Sequence, residues 1–253
     1  MKKTFFALVL ALLLPLNAFA GQVTVAAAAN LQFVLEELKT GFEKDSGITL
    51  VTVIGSSGKL TSQVENGAPF DVFLSADTQF PDRLEKEGLT YRPPRIYAYG
   101  TLVLWTLKEN IDLSKGPALI ADAAIRKVAV SNPKNAPYGR QSVNAIKYYG
   151  LYKEAEKKLV YGESISQTNQ FITTRAADIG FTAKSIVLAP GLKEKGTWVE
   201  VDPKAYEPIA QGAVVLKYAV KHNLKDSEDF FNFIFSPKAG EIFKKYGYVL
   251  PQE

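Results

Sequence analysis

Three features of the sequence predict an α/β protein of two lobes. Short apolar runs alternate along the chain with amphipathic runs of helical period, the pattern of strands interleaved with helices. The length, 253 residues, is large for one small sheet and suits two lobes of about 100 residues each. Two strand candidates, Tyr99 to Leu107 and Gly212 to Lys217, lie where the chain could cross from one lobe to the other and return. Two crossings leave one lobe discontinuous and a central cleft that can close about a hinge. The expected division is a signal peptide over 1–20, a first lobe from 21–99 plus 213–253, and a second lobe over 100–212.

The elements follow in order. Val23-Thr24-Val25 reads as a strand leading through Ala26 to Ala29 into Asn30. Leu31, Val34, Leu35, Leu38 and Phe42 then recur at helical spacing until Gly47. Ile48 to Ile54 is the next strand, and Gly55-Ser56-Ser57-Gly58 turns into a helix carrying Leu60 and Val64. Pro69 to Leu74 reads as strand, Phe80 to Lys86 as helix, and Tyr99 to Leu107 as one long strand. In the second half, strands are expected over Lys127 to Ser131, Val160-Tyr161, Asp178 to Thr182, Trp198 to Val201 and Gly212 to Lys217. Helices are expected over Tyr138 to Tyr149, Ser164 to Arg175 and Ser227 to Phe235. A last one opens on the cap-then-proline pair Ser236-Pro237 and runs through Tyr246.

Composition narrows the function. Lys2 and Lys3, an apolar run from Phe5 to Leu16, and the small-x-small pattern Ala18-Phe19-Ala20 form a secretory signal peptide with cleavage expected after Ala20. Its apolar run is shorter than the ~20 residues a membrane span needs. Export to the periplasm follows, and without the first 20 residues 233 remain. Loss of Lys2 and Lys3 lowers the net charge from +4 to +2, so basicity is no argument for a nucleic-acid partner. The sequence has no cysteine, which excludes disulfides, thiol nucleophiles, thiolate metal sites and a lipoprotein anchor. Its one histidine, His222, leaves little scope for metal or triad chemistry.

Four turns share one construction, in which a strand ends, small or hydroxyl residues follow, and a helix begins. They are Ala29-Asn30, Ser56-Ser57-Gly58, Pro137-Tyr138-Gly139 and Ser164-Ile165. A helix N-terminus presents unpaired N–H groups and about half a positive charge, and so accepts an anion without a cationic side chain. Asn30, Ser57 and Tyr138 each offer a side-chain donor as well. Taken singly, such residues are most often ordinary caps. Their recurrence in two equal halves, with no charged residue leading into them except Glu163, fits a fully ionised oxyanion, which offers only acceptors.

These residues carry a resemblance. Val23 to Leu31, Gly55 to Leu60, the run Gly67-Ala68-Pro69-Phe70-Asp71-Val72-Phe73-Leu74-Ser75-Ala76-Asp77, and Ala239 to Tyr248 resemble the periplasmic molybdate-binding proteins of ABC transporters, of the type II periplasmic binding protein class. The resemblance covers the chain after the signal peptide, in order. It implies a mixed sheet flanked by helices in each lobe, with the ligand cleft between. It also implies a tetrahedral oxyanion, molybdate and with it tungstate, delivered to a membrane permease by a monomer with no cofactor and no enzymatic activity. The ligands it implies are Asn30 with backbone around Ala29, the hydroxyl and N–H of Ser57, and the backbone N–H groups of Tyr138 and Ile165. Many members have serine where Asn30 stands and alanine where Tyr138 stands. Some use a tyrosine hydroxyl from the strand after the fourth helix, where this chain has Ala183.

Other readings are weaker. Asp71 and Asp77 flank a strand about 20 Å apart, too far for paired acid–base work. Gly55 to Leu60 is not a phosphate loop, because Lys59 is followed by Leu60 rather than Ser or Thr. Arg140 is expected to face solvent, the less favoured role being a screening charge near the anion. An exported enzyme, or a binding protein of the same fold for sulfate or another ligand, remains the alternative.

Overall fold

The computed structural model describes residues 21–252. The signal-peptide reading falls on 1–20, outside the described residues. Two five-stranded mixed sheets organise the chain.

The first half begins with β1 (Gln22–Ala28), a 3-10 turn (Ala29–Leu31), α1 (Gln32–Ser46), β2 (Thr49–Gly55) and α2 (Ser57–Glu65). It continues through β3 (Val72–Leu74), α3 (Gln79–Lys86) and β4 (Arg95–Gly100). After Thr101 come β5 (Leu102–Thr106), a kinked 3-10 segment (Leu113–Ala121), β6 (Val128–Ser131), α4 (Pro137–Tyr148) and α5 (Tyr152–Ala155). Next are β7 (Leu159–Gly162), α6 (Ile165–Thr173), β8 (Ile179–Ala183), α7 (Lys184–Val187) and β9 (Thr197–Glu200). The chain finishes with β10 (Ile209–Val215), α8 (Lys217–Val220), α9 (Leu224–Ile234) and α10 (Pro237–Lys245).

The sheets have the orders β2-β1-β3-β10-β4 and β7-β6-β8-β5-β9, which are built alike. In each, the first three strands pair in parallel, and the fourth, β10 or β5, runs antiparallel to both of its neighbours. Period-2 alternation explains the two-sided burial of the first sheet. Val23, Val25, Ala27, Val72, Leu74, Ala213 and Val215 face α1, α9 and α10, where Leu35, Leu38, Phe230 and Phe243 close the core. Ala26, Phe73 and Val214 face the other way, onto Leu60 and Val64 of α2 and Leu84 of α3. The second sheet is buried against α4 and α6 around Trp105, Val130, Ile146, Ile172 and Phe181.

The structure corrects several element readings. The single long strand over Tyr99 to Leu107 is two strands in two different sheets, broken at Thr101. An extended run of apolar residues looks the same whether one sheet or two receive it, so pattern alone does not show the break. The strand read over Gly212 to Lys217 starts earlier, at Ile209, and all of it pairs in the first sheet. The strand of Pro69 to Leu74 shrinks to Val72–Leu74, because the chain up to Asp71 is still irregular.

Candidate functional site

Four strand-to-helix turns converge on one small cavity of about 10 Å³ between the sheets. Ala28, Ala29 and Asn30 come from the end of β1. Ser56 and Ser57 open α2, Ala136, Pro137 and Tyr138 open α4, Ile165 opens α6, and Ala76 fills one side. The structure therefore brings all five sequence-predicted residues, Ala29, Asn30, Ser57, Tyr138 and Ile165, onto a single wall. No charged side chain lines it.

Donors converge there because strands end and helices begin there. First-turn N–H groups have no intrahelical acceptor. Among the described residues, the N–H groups of Asn30, Ser57, Tyr138 and Ile165 are given to no other protein backbone oxygen. The Ser57 hydroxyl oxygen accepts from the Ala76 N–H at 3.0 Å, which fixes its position and leaves its own proton to donate. Asn30 is 1% exposed. Its side-chain Nδ2 donates to Gln211 Oε1 and to the Tyr248 hydroxyl, each at 2.9 Å, while its Oδ1 has no partner.

The two sides of the cavity are in contact across the cleft. The Gly58 N–H donates to Asn135 O at 2.9 Å, Ser56 Oγ to Glu163 Oε1 at 2.7 Å, and Ser166 Oγ to Gln32 Oε1 at 2.7 Å. Ser185 Oγ, just after β8, donates to Asn30 O at 2.8 Å. Arg140 Nη1 reaches Asp77 Oδ2 at 3.2 Å and Gln79 Oε1 at 2.7 Å. Of the charged groups bridging the cleft, Arg140 pairs with Asp77 and Glu163 accepts from Ser56, and none of them lines the cavity. Burial raises the Asp77 carboxyl above the usual carboxylate range, against the Phe80 N–H and the Arg140 charge, which lower it.

Some sequence expectations are revised. The Tyr138 hydroxyl is no donor to the cavity. It is buried against β10, where Gln211 Nε2 donates to it at 3.2 Å. Arg140 does not simply face solvent but bridges to Asp77. Asp77 caps the start of α3 through the Phe80 N–H, and Asp71 accepts from the Thr24 N–H and from Asn223 Nδ2. His222 is exposed and stacks on Tyr218. Ala183 ends β8 and is no part of the wall.

Sequence reasoning missed a buried polar cluster behind the cavity, made of Gln211, Tyr97 and Tyr248. Burial lifts the tyrosine hydroxyls of Tyr97 and Tyr138 well above their usual range and that of Tyr248 to about 12. All three are neutral at physiological pH. A glutamine in an otherwise apolar strand, Ile209-Ala210-Gln211-Gly212-Ala213-Val214-Val215, was the available signal.

Two matched mixed sheets enclosing one small, charge-free cavity of convergent donors define a solute-binding protein of the two-lobed α/β class. The chain belongs to the bacterial extracellular solute-binding protein family, whose sequence profile matches residues 23–249. It is 41% identical over 239 residues to the molybdate-binding protein ModA of Azotobacter vinelandii, covering 94% of each chain. It is 39% identical over 249 residues to the molybdate-binding protein ModA of Rhodobacter capsulatus, covering 97% of this chain and 94% of that one. Its fold superposes on the periplasmic molybdate-binding protein of Azotobacter vinelandii with a TM-score of 0.85 and 35% identity, over 91% of this chain and all of the other. Among the described residues, no helix is long and apolar enough to cross a membrane.

Proposed function

We propose that this chain captures a tetrahedral oxyanion of the molybdate class and hands it to the permease of an ABC transporter. The observation that carries the reading is the convergence of Ala29, Asn30, Ser57, Tyr138 and Ile165 on one small cavity with no charged wall. Each of these residues except Ala29 brings a free first-turn N–H, and Ser57 adds a hydroxyl proton. A dianion takes such donors with no counter-charge to desolvate, a cost of several kcal/mol per buried ion. The molybdate-binding relatives support molybdate as the cargo, and tungstate, of the same charge and shape, is expected to bind alike.

In this reading the two sheets are the cores of two lobes, one from 21–99 plus the C-terminal segment and the other from 100 onward. The pairing of all of β10 in the first sheet supports a return to the first lobe ahead of Ile209. The anion favours the closed form because only there do donors from both lobes reach it. The chain works as a periplasmic monomer released by cleavage after Ala20, carries no cofactor and performs no chemistry on its cargo. Isothermal titration of the ligand-stripped protein with molybdate, tungstate, sulfate and phosphate tests this. Tight one-to-one binding of the first two, with sulfate at least about a hundredfold weaker, is expected. Binding of sulfate alone, or of none, would overturn it.

A further inference from the structure

Behind the cavity wall lies a closed set of hydrogen bonds with a proton-counting problem. Gln211 is fully buried, and its Oε1 accepts from Asn30 Nδ2 at 2.9 Å and stands 2.7 Å from the Tyr97 hydroxyl. That same hydroxyl stands 3.0 Å from the Ser75 carbonyl, and it has one proton for two acceptors. The Tyr138 hydroxyl accepts from Gln211 Nε2 at 3.2 Å. In this arrangement Asn30 spends both amide protons on Gln211 and Tyr248, and its Oδ1 is left with no partner.

A side-chain amide turned over about its last torsion exchanges oxygen and nitrogen with almost no change of shape. Turning Gln211 alone sets its Nε2 protons against the Asn30 Nδ2 protons, so the two amides must turn together. When both turn, Gln211 Nε2 donates to Asn30 Oδ1 and to the Tyr97 hydroxyl. Tyr97 is then free to donate to Ser75 O, and the Tyr138 hydroxyl donates to Gln211 Oε1. Tyr248 swings its one proton from the Asn30 backbone carbonyl, 3.1 Å away, to the turned Asn30 Oδ1, and Ser185 Oγ still donates to that carbonyl at 2.8 Å. Every member of the cluster is served. The unbonded end of Asn30 becomes an NH₂ donor, in a residue that lines the cavity.

We infer that Gln211, which has no place in the cavity wall, is a positioning residue for the anion: it turns over together with Asn30 and thereby sets whether the site meets the ligand with a carbonyl oxygen or an amide donor. An oxyanion is repelled by the first and bound by the second, so it selects the turned pair. The inference rests on the oxyanion reading above and deepens it.

The test is a double-mutant cycle read by titration with molybdate, using Gln211→Met, Asn30→Ser and the double variant. A serine hydroxyl rotates freely and needs no partner to orient it. Gln211→Met is expected to raise the molybdate Kd at least about tenfold in the parent, as befits one hydrogen bond to a charged ligand. In the Asn30→Ser background it should change Kd by no more than about twofold. Equal losses in both backgrounds would mean a merely structural role and overturn the inference, as would no loss in the parent.

Should Gln211→Met not fold, the unaltered protein decides by nuclear Overhauser contacts of the Gln211 side-chain amide protons. They are expected beside the Tyr97 ring with molybdate bound, and retention beside Tyr138 overturns the proposal. If the parent binds no tetrahedral oxyanion at all, the functional reading fails first and takes the inference with it. If the parent binds molybdate and the cycle shows no coupling, the inference alone fails.

Discussion

Gly58 is the point where the two halves of the cavity touch through backbone. Its N–H donates to Asn135 O at 2.9 Å, one residue along α2 from Ser57. A Cβ placed on Gly58 would lie 2.9 Å from Asn135 Cα, 3.1 Å from Asn135 O and 3.0 Å from the tip of the Phe80 ring. The Phe80 ring can swing aside, but the Asn135 backbone cannot. Ordinary contact begins near 3.4 Å, so Gly58→Ala must hold the two sides apart by about half an ångström. Overpacking of this kind costs about 1–3 kcal/mol, and the cross-cleft hydrogen bond adds about 1 kcal/mol at most. A combined loss of about 2–3 kcal/mol corresponds to a molybdate Kd raised about 30- to 150-fold. The helix itself gains from alanine, and the separated lobes feel no clash. The melting temperature without ligand should therefore stay within about 2 °C of the parent. Titration calorimetry and thermal melts with and without molybdate check both halves. A Kd within threefold of the parent, or a melting loss as large without molybdate as with it, would refute the reasoning.

Ser57→Ala removes the hydroxyl proton and leaves the Ala76 N–H without its acceptor. Molybdate binding should weaken by about 1.5–3 kcal/mol, read by the same titration. His222→Ala should leave the Kd unchanged, since the exposed ring stacks only on Tyr218. Phe230→Ala, in the core between the first sheet and α1, should cost about 3–5 kcal/mol of stability in denaturant unfolding. Asp178 gives a pH-dependent case. Burial raises its carboxyl, but the Lys108 ammonium and the N–H groups of Lys127 and Arg126 outweigh this and hold it below the usual 3.8. Its folded value is depressed relative to the unfolded chain, so its contribution is fully present above about pH 4–5 and fades as pH falls through the folded value. The stability gap between the parent and Asp178→Asn should therefore be constant near neutrality and narrow under acid. A gap that widens under acid would reverse the sign.

Much of the fold was legible because burial imposes simple periods. The apolar stripe of Leu35, Leu38 and Phe42, and the cap-and-proline pair Ser236-Pro237, each lie on the helices they predict. The break between sheets was not legible, because threonine is at home in strands and the change of sheet at Thr101 leaves no other mark in the run from Tyr99 to Leu107. The cavity residues were readable as strand-to-helix turns, since the donor geometry belongs to the backbone. What supports them was not. Gln211, Tyr97 and Tyr248 are remote in sequence from Asn30, and only the tertiary fold brings a strand glutamine and a C-terminal tyrosine to the Asn30 amide, with Tyr97 behind the glutamine. The Tyr138 hydroxyl was misread for the same reason. A side chain at a helix start can face the ligand or the core, and the nearby Gln211 settles it for the core.

In the proposed reading, the placement of charge leaves closure to the ligand. The cleft is bridged by contacts such as Ser56 to Glu163, Ser166 to Gln32 and Arg140 to Asp77, most of them partly exposed. In an open form these groups return to water and keep nearly all their hydrogen-bonding energy, so each adds about 1 kcal/mol or less to closure. The cavity donors behave differently. Closing without an acceptor would bury the N–H groups of Asn30, Ser57, Tyr138 and Ile165 unpaired, at about 1–3 kcal/mol each. The rim favours closure weakly and the cavity opposes it strongly, and an oxyanion reverses the sign of the cavity's contribution. A neutral tetrahedral solute of the same size would have to supply comparable acceptors to do so, which is why charge selectivity needs no charged side chain in the wall.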